Sequence, residues 1–100
     1  ESPRRRARRP EPPVAAPTAT DLDRGREAMI AGDLRGAIDH LERYARANPS
    51  HAVVQQQLGR AYMRAGDVER GVAAYRRYLR LAPNAPDRAI VERILAPHGG

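Results

Sequence analysis

Apolar residues recur with the period of an α-helix through most of the chain after residue 17. In one segment they stand at i, i+1, i+4, i+7 and i+8, which places them on a single helical face: Ala37, Ile38, Leu41, Tyr44 and Ala45. The same pattern returns 34 residues later at Gly71, Val72, Tyr75, Tyr78 and Leu79. Both segments are therefore predicted to be amphipathic helices, each with one face packed against other helices.

Capping and helix-ending residues divide the chain into five predicted helices. Side chains that accept hydrogen bonds from the first amides of a helix occur at Thr20 or Asp21, Asp33, Ser50 and Asp67. Glycine adopts the left-handed conformation and proline lacks an amide hydrogen, so both end helices. The expected ends are Gly32, Asn48-Pro49, Gly66 and Pro83-Asn84. The first helix should run to about Ala31, the third over about 52–65, and a last, single helix over 87–95.

Ten positions carry the same residue 34 positions apart: Gly25/Gly59, Arg26/Arg60, Met29/Met63, Ala31/Ala65, Gly32/Gly66, Asp33/Asp67, Arg43/Arg77, Tyr44/Tyr78, Arg46/Arg80 and Pro49/Pro83. A repeat of this length, with two helices around a Gly-Asp turn, indicates a helix-turn-helix solenoid. Glycine is unfavourable inside a helix, so its recurrence at Gly25 and Gly59 predicts that another helix backbone comes very near. The predicted fold is all-α, and the function to expect is binding.

The second unit resembles a tetratricopeptide repeat (TPR). The residues that carry the resemblance are Leu58-Gly59-Arg60-Ala61-Tyr62, Gly66-Asp67, Gly71, Tyr75, Tyr78 and Pro83. The first unit keeps Gly25, Ala28, Gly32-Asp33, Ala37, Leu41, Tyr44 and Pro49. Three positions depart from the family pattern: Arg24 replaces the usual Leu, Ala28 the usual Tyr, and Gln55 the usual large apolar residue or Trp.

The resemblance implies a solenoid of two TPR-like repeats and a capping helix, which divides the sequence into four parts. These are a disordered Pro/Arg-rich tail over 1–17, repeats over 18–51 and 52–85, and the capping helix over 86–97. Because only two repeats are present, self-assembly through the exposed edges is one possible function. The chain begins with Glu1 rather than Met, which suggests a processed product or an excised piece of something longer. We expect it to be part of a larger bacterial protein.

In proteins of this family the first helix of each pair lines a concave groove that binds peptides. Carried onto this sequence, the groove residues are Leu22, Arg26, Met29, Ile30, Val53, Gln56, Arg60, Met63 and Arg64, with Ile90 and Ile94 added from the capping helix. Methionine adapts to varied apolar partners and arginine pairs with carboxylates, so this set suits an acidic peptide with apolar anchors. The alternative is that the two methionines fill the core and the arginines are solvated. The Lys and Asn clamp for chaperone tails is missing, since the chain has no Lys.

Half of the formal net charge of +6 lies in the first 17 residues, which hold five Arg and two Glu. The arginines are Arg4, Arg5, Arg6, Arg8 and Arg9. Three interpretations are open: contact with nucleic acid phosphates, contact with an anionic membrane surface, or a solvated linker. Aromatic residues between the basic ones would favour nucleic acid, and this segment has none.

No catalytic or metal-binding pattern is present in the sequence. The chain has no Cys, neither Ser lies in a nucleophile motif, and the three His lack ligand spacing. We therefore predict a non-enzyme that needs no cofactor. The absence of Cys leaves the cellular compartment open.

Overall fold

The computed structural model describes the backbone of residues 16–99 and the side chains of residues 21–99. Its elements are α1 (Ala16–Ala31), α2 (Leu34–Ala47), α3 (Ala52–Arg64), α4 (Val68–Leu81), α5 (Arg88–Leu95) and a short 3₁₀ helix (Ala96–His98). Within residues 16–99 there is no strand, so the predicted all-α fold is confirmed. No helix in this part of the chain is long and apolar enough to cross a membrane.

The helices form two antiparallel pairs and a final single helix. α1 packs on α2, and α3 packs on α4. α2 also packs on α3, which joins the two pairs, and α5 packs on α4 at the end of the array. This order matches the predicted arrangement of two repeats followed by a capping helix.

The Gly-Asp turns within the pairs are built as the sequence predicts. Gly32 and Gly66 have φ of 84° and 87°, which strains any residue with a Cβ. After each glycine the aspartate amide reaches back five residues, as Asp67 N does to Tyr62 O at 2.9 Å, which is the hydrogen bond of a Schellman ending. The Asp33 carboxylate then accepts from Gly36 N at 3.0 Å, and the Asp67 carboxylate accepts from Arg70 N at 3.3 Å. Each aspartate therefore starts the next helix.

Two predicted caps are wrong. α1 begins at Ala16 instead of after Thr20 or Asp21, because Pro17 is tolerated in the first turn of a helix, where an amide hydrogen has no partner. α3 is capped by His51, whose Nδ1 accepts from Val54 N at 3.4 Å, and not by Ser50. The predicted tail lies outside the described residues except for its last two, which begin α1.

Asp21 and Asp87, which were expected near helix starts, use their side chains for tertiary contacts instead. Asp21 lies in the interior of α1 and holds it to α2, with its Oδ1 3.2 Å from His40 Nδ1 and 3.6 Å from Arg43 Nε. Asp87 precedes α5 but makes no side-chain capping hydrogen bond. Both aspartates bond to side chains on other helices and therefore do not cap the helix to which they belong or which they precede.

The core consists of two apolar clusters, one for each end of the array. The first lies among α1, α2 and the inner faces of α3 and α4, and its buried members are Met29, Ala37, Leu41, Tyr44, Val54, Leu58, Ala61, Tyr62 and Ala74. The second joins α4 to α5 through Val72, Tyr75, Tyr78, Val91 and Leu95. Because α5 supplies Val91 and Leu95, it covers apolar surface that α4 would otherwise expose.

Side chains of the partner helix lie closest to the two helix glycines that the repeat shares, Gly25 and Gly59. A Cβ built on Gly25 would lie 2.6 Å from Leu41 Cδ2, whereas the nearest backbone atom, Ala37 O, is 3.6 Å away. A Cβ on Gly59 would lie 2.8 Å from the ring of Tyr75. The neighbouring helix backbone is also close, because Ala37 O would be in van der Waals contact with a Cβ on Gly25, and Gly59 O lies 3.3 Å from a Cβ built on Gly71.

Candidate functional site

The candidate groove residues of α1 divide between the core and the surface. Met29 is buried in the first core cluster, and Leu22 packs against that cluster. Ile30 is 88% exposed, the most exposed large apolar residue in the described part of the chain, and Arg26 is also exposed. An isoleucine so exposed has little packing with the described residues 21–99.

The candidate residues of α3 show the same division. Val53, Arg60 and Arg64 are exposed on one side of the helix. Met63 packs against the second core cluster, where it also lies under Gly71. Gln56 is engaged as well, because its Nε2 donates to the Asp87 carboxylate. Of the candidate residues on α3, only Val53, Arg60 and Arg64 are therefore exposed.

An open cleft of about 320 Å³ lies between α1 and α3, and we call it the α1–α3 cleft. It is lined by Arg26, Met29, Ile30, Gln57 and Arg60. Four of these five are among the nine residues that the sequence suggested. Gln57 was missed, although it stands three residues before Arg60 and so shares its helical face.

The other suggested residues, Leu22, Val53, Gln56, Met63 and Arg64, do not line the α1–α3 cleft. Neither do the two isoleucines of the capping helix: Ile90 is 59% exposed, and Ile94 packs against the second core cluster. The candidate residues that the structure brings together therefore lie on the neighbouring parts of α1 and α3.

The α1–α3 cleft is cationic. Arg26 and Arg60 are its only charged lining residues. Among the side chains of residues 21–99, no carboxylate oxygen lies within 4.0 Å of either guanidinium. Among the described residues both guanidinium groups therefore lack a carboxylate partner, and Met29 and Ile30 add apolar surface to the same cleft.

The first turn of α5 is fixed to α3 and α4 by a carboxylate. The Tyr78 hydroxyl donates to Asp87 Oδ1 at 2.5 Å, and Gln56 donates to the other oxygen of the same carboxylate. Burial, followed by the hydrogen bond and the negative charge of Asp87, raises the pKa of Tyr78 to about 12. This junction orders the second repeat and ties the capping helix to it.

A second cleft, of about 290 Å³, lies between α2 and α4, and we call it the α2–α4 cleft. It is lined by Glu42, Ala45, Arg46, Gln55, Leu58, Tyr62 and Arg77. The Tyr62 hydroxyl donates to the Glu42 carboxylate, and burial together with this carboxylate raises the pKa of Tyr62. One feature of the sequence points to this cleft, namely Gln55 at a position where the family usually has a large apolar residue or Trp.

The sequence model of the tetratricopeptide repeat matches residues 22–86, which is more than half of the chain. The chain belongs to the tetratricopeptide repeat family. A search of curated protein sequences finds no match. TPR repeats generally mediate protein–protein interactions, and the family is typically non-catalytic.

The arrangement of the TPR domain is consistent with a binding function. Among the described residues there is no group of three or more His, Cys, Asp or Glu side chains that could hold a metal ion. The two clefts present guanidinium, amide and aliphatic groups, and groups of these kinds can form hydrogen bonds and apolar contacts with a ligand. The tail arginines Arg4, Arg5, Arg6, Arg8 and Arg9 lie outside the described residues.

Proposed function

We propose that this TPR domain is a non-catalytic adaptor that binds an acidic segment of a partner protein in the α1–α3 cleft. One observation carries the proposal: a fully exposed isoleucine, Ile30, stands beside two arginines that have no described carboxylate partner. An acidic segment with an aliphatic side chain complements all three groups.

The apolar contact should supply most of the binding free energy. Burying an isoleucine side chain contributes about 1.5–3 kcal/mol, and Ile30 begins 88% exposed. An exposed Arg–carboxylate pair contributes only about 0.2–1 kcal/mol. The arginines therefore act mainly on specificity, because they favour carboxylates over cationic segments.

The test is capture of partners from the source cells by the full chain and by its variants. Arg26→Ala/Arg60→Ala and Ile30→Ser should both lose a protein that the wild type retains. The matched control is Arg35→Ala/Arg80→Ala, which also removes two exposed arginines but leaves the α1–α3 cleft intact. Equal loss in the control would show that overall charge, and not the cleft, holds the partner.

The salt dependence of binding and the mass of the chain in solution separate this function from the two alternatives, binding by the tail and self-association. Binding by the arginine-rich tail should weaken steeply as salt rises and should be insensitive to Ile30→Ser. Binding in the α1–α3 cleft should keep most of its affinity at 0.5 M salt, because the apolar contact is not screened. Self-association should appear as a concentration-dependent mass in analytical ultracentrifugation, and a purely monomeric chain would exclude it.

A further inference from the structure

The α2–α4 cleft lies on the opposite side of α3 from the α1–α3 cleft. Successive residues of a helix are rotated by about 100°, so Gln55, Leu58 and Tyr62 point away from the side that carries Arg60 and Gln57. Gln55, Leu58 and Tyr62 line the α2–α4 cleft. Gln57 and Arg60 line the α1–α3 cleft. The α2–α4 cleft is therefore separate from the partner-binding surface proposed above.

Gln55 is the unusual residue of this cleft. It is only 5% exposed, the one buried polar residue in the described part of the chain. Its Oε1 accepts from Arg77 Nε at 3.0 Å, which fixes the orientation of the amide and leaves Nε2 as a donor. No atom of residues 21–99 accepts a hydrogen bond from Nε2. Because Gln55 lines the cleft, its Nε2 is a donor to which a ligand atom in the cleft could bind.

The cleft also has open space beside Gln55. Where the family usually has a large apolar residue or Trp, Gln55 borders an open volume of about 290 Å³ between α2 and α4. Leu58 and Ala45 give this volume an apolar wall. The space is enough for a small side chain and the polar group attached to it.

The charged groups of the cleft are arranged for a ligand with both an acceptor and a donor. Arg46 on α2 and Arg77 on α4 bring two guanidinium groups to the cleft with the free amide of Gln55. Glu42 is on α2, and its Oε2 accepts from Tyr62. The other oxygen of the Glu42 carboxylate has no hydrogen-bond partner among the described residues, so it remains an acceptor for a ligand N–H.

We propose that the α2–α4 cleft binds an α-carboxylate together with its adjoining N–H group. The carboxylate is held by the Gln55 amide and the guanidinium groups of Arg77 and Arg46, while the N–H donates to Glu42. Arginine pairs with carboxylates through two parallel hydrogen bonds, and the free amide adds a third donor. This chemistry occurs in a free α-amino acid and in the C-terminal residue of a polypeptide.

The test is an NMR titration of the ¹⁵N-labelled full chain that follows the side-chain amide of Gln55. The probes are L-alanine, N-acetyl-L-alanine and N-acetyl-L-alaninamide. The first two carry the carboxylate and the N–H, and the third lacks the carboxylate. A saturable shift with a Kd on the order of 1–10 mM is expected for a ligand of this size. A response to L-alanine alone assigns a free amino acid, and a response to N-acetyl-L-alanine alone assigns a polypeptide C terminus.

Two variants test whether the shift reports this site. Arg77→Ala should weaken binding at least about tenfold, because it removes a charged partner of the carboxylate. Gln55→Trp restores the bulk usual in the family and should abolish the response, read from the backbone amide of Leu58. Arg80→Ala is the control, since it removes an exposed arginine of the same helix that does not line the cleft.

The proposal is overturned if neither carboxylate probe gives a saturable shift, or if N-acetyl-L-alaninamide gives an equal one. It is also overturned if binding survives in a Gln55→Trp variant whose circular dichroism shows a folded chain. None of these outcomes bears on the α1–α3 cleft, so the two proposals stand or fall separately.

Discussion

The contact between Gly25 and Leu41 makes a quantitative prediction about how α1 and α2 are held together. A Cβ on Gly25 would lie 2.6 Å from Leu41 Cδ2 and 2.7 Å from Leu41 Cγ. Both distances are far below van der Waals contact, and Leu41 is fully buried, so its side chain cannot move away freely. Gly25→Ala should therefore force α1 and α2 apart or push Leu41 from its preferred rotamer.

The size of the effect follows from two opposing contributions. Overpacking of this kind costs about 1–3 kcal/mol. Replacing glycine by alanine inside a helix gains about 1 kcal/mol from helix propensity. The net loss for Gly25→Ala alone is thus expected between about 0 and 2 kcal/mol. Leu41→Ala alone should cost about 2–5 kcal/mol, because it leaves a cavity in the first core cluster.

The double variant separates the two contributions. Leu41→Ala removes the Cδ2 and Cγ atoms that the new methyl group would meet, and the next nearest atom, Ala37 O, lies at an ordinary contact distance of 3.6 Å. In that background Gly25→Ala should be stabilising by about 1 kcal/mol. The coupling between the two substitutions is therefore expected at about 1–3 kcal/mol.

The assay is urea unfolding of the wild type, the two single variants and the double variant, followed by far-UV circular dichroism. Each curve gives a free energy of unfolding by linear extrapolation. The reasoning would be refuted if Gly25→Ala changed the free energy of unfolding by the same amount in both backgrounds. That result would mean that Gly25 is required by something other than the Leu41 side chain.

Two further predictions concern the caps and the Tyr78–Asp87 junction. Asp67→Ala should lower the free energy of unfolding by about 1 kcal/mol, because Asp67 caps α4. Ser50→Ala should leave it almost unchanged, because His51 and not Ser50 caps α3. Urea unfolding compares the two variants, and equal losses would contradict this assignment of the caps. Burial and the Asp87 carboxylate raise the pKa of Tyr78 from 10.0 to about 12, so the neutral phenol is favoured in the folded state. The stabilisation of the folded state by the neutral Tyr78 phenol is complete below pH 10 and is lost as the pH rises towards 12. Tyr78→Phe should therefore reduce the fall in the free energy of unfolding between pH 10 and 12. If the fall is unchanged in this variant, another group is responsible for it.

The candidate site was predictable only in part. The sequence proposed Arg26, Met29, Ile30 and Arg60, which line one cleft in the structure, because the family resemblance assigns the first helix of each pair to the groove. It did not separate them from Met63 and Gln56, which have similar spacing but contact the second core cluster and Asp87. Side-chain partners on a distant helix leave no periodic signal, so spacing alone could not exclude these two residues.

The sequence by itself determined the elements and their order. The 34-residue repeat, the apolar period of 3.6 and the Gly-Asp turns are local signals, and local signals suffice where φ, capping and amphipathicity set the structure. They located the turns at Gly32 and Gly66 and predicted the all-α fold. They misplaced the start of α1, because a proline at the first turn of a helix looks the same as a proline in a tail.

Only the tertiary structure decided which surfaces are free and which groups are paired. It showed that Gly25 accommodates a leucine, that Asp87 bonds to Tyr78 and Gln56, and that Gln55 is buried with an unused donor. These facts depend on residues up to 31 positions apart meeting in space. Such contacts arise from the packing of whole helices, and therefore no short stretch of the sequence contains them.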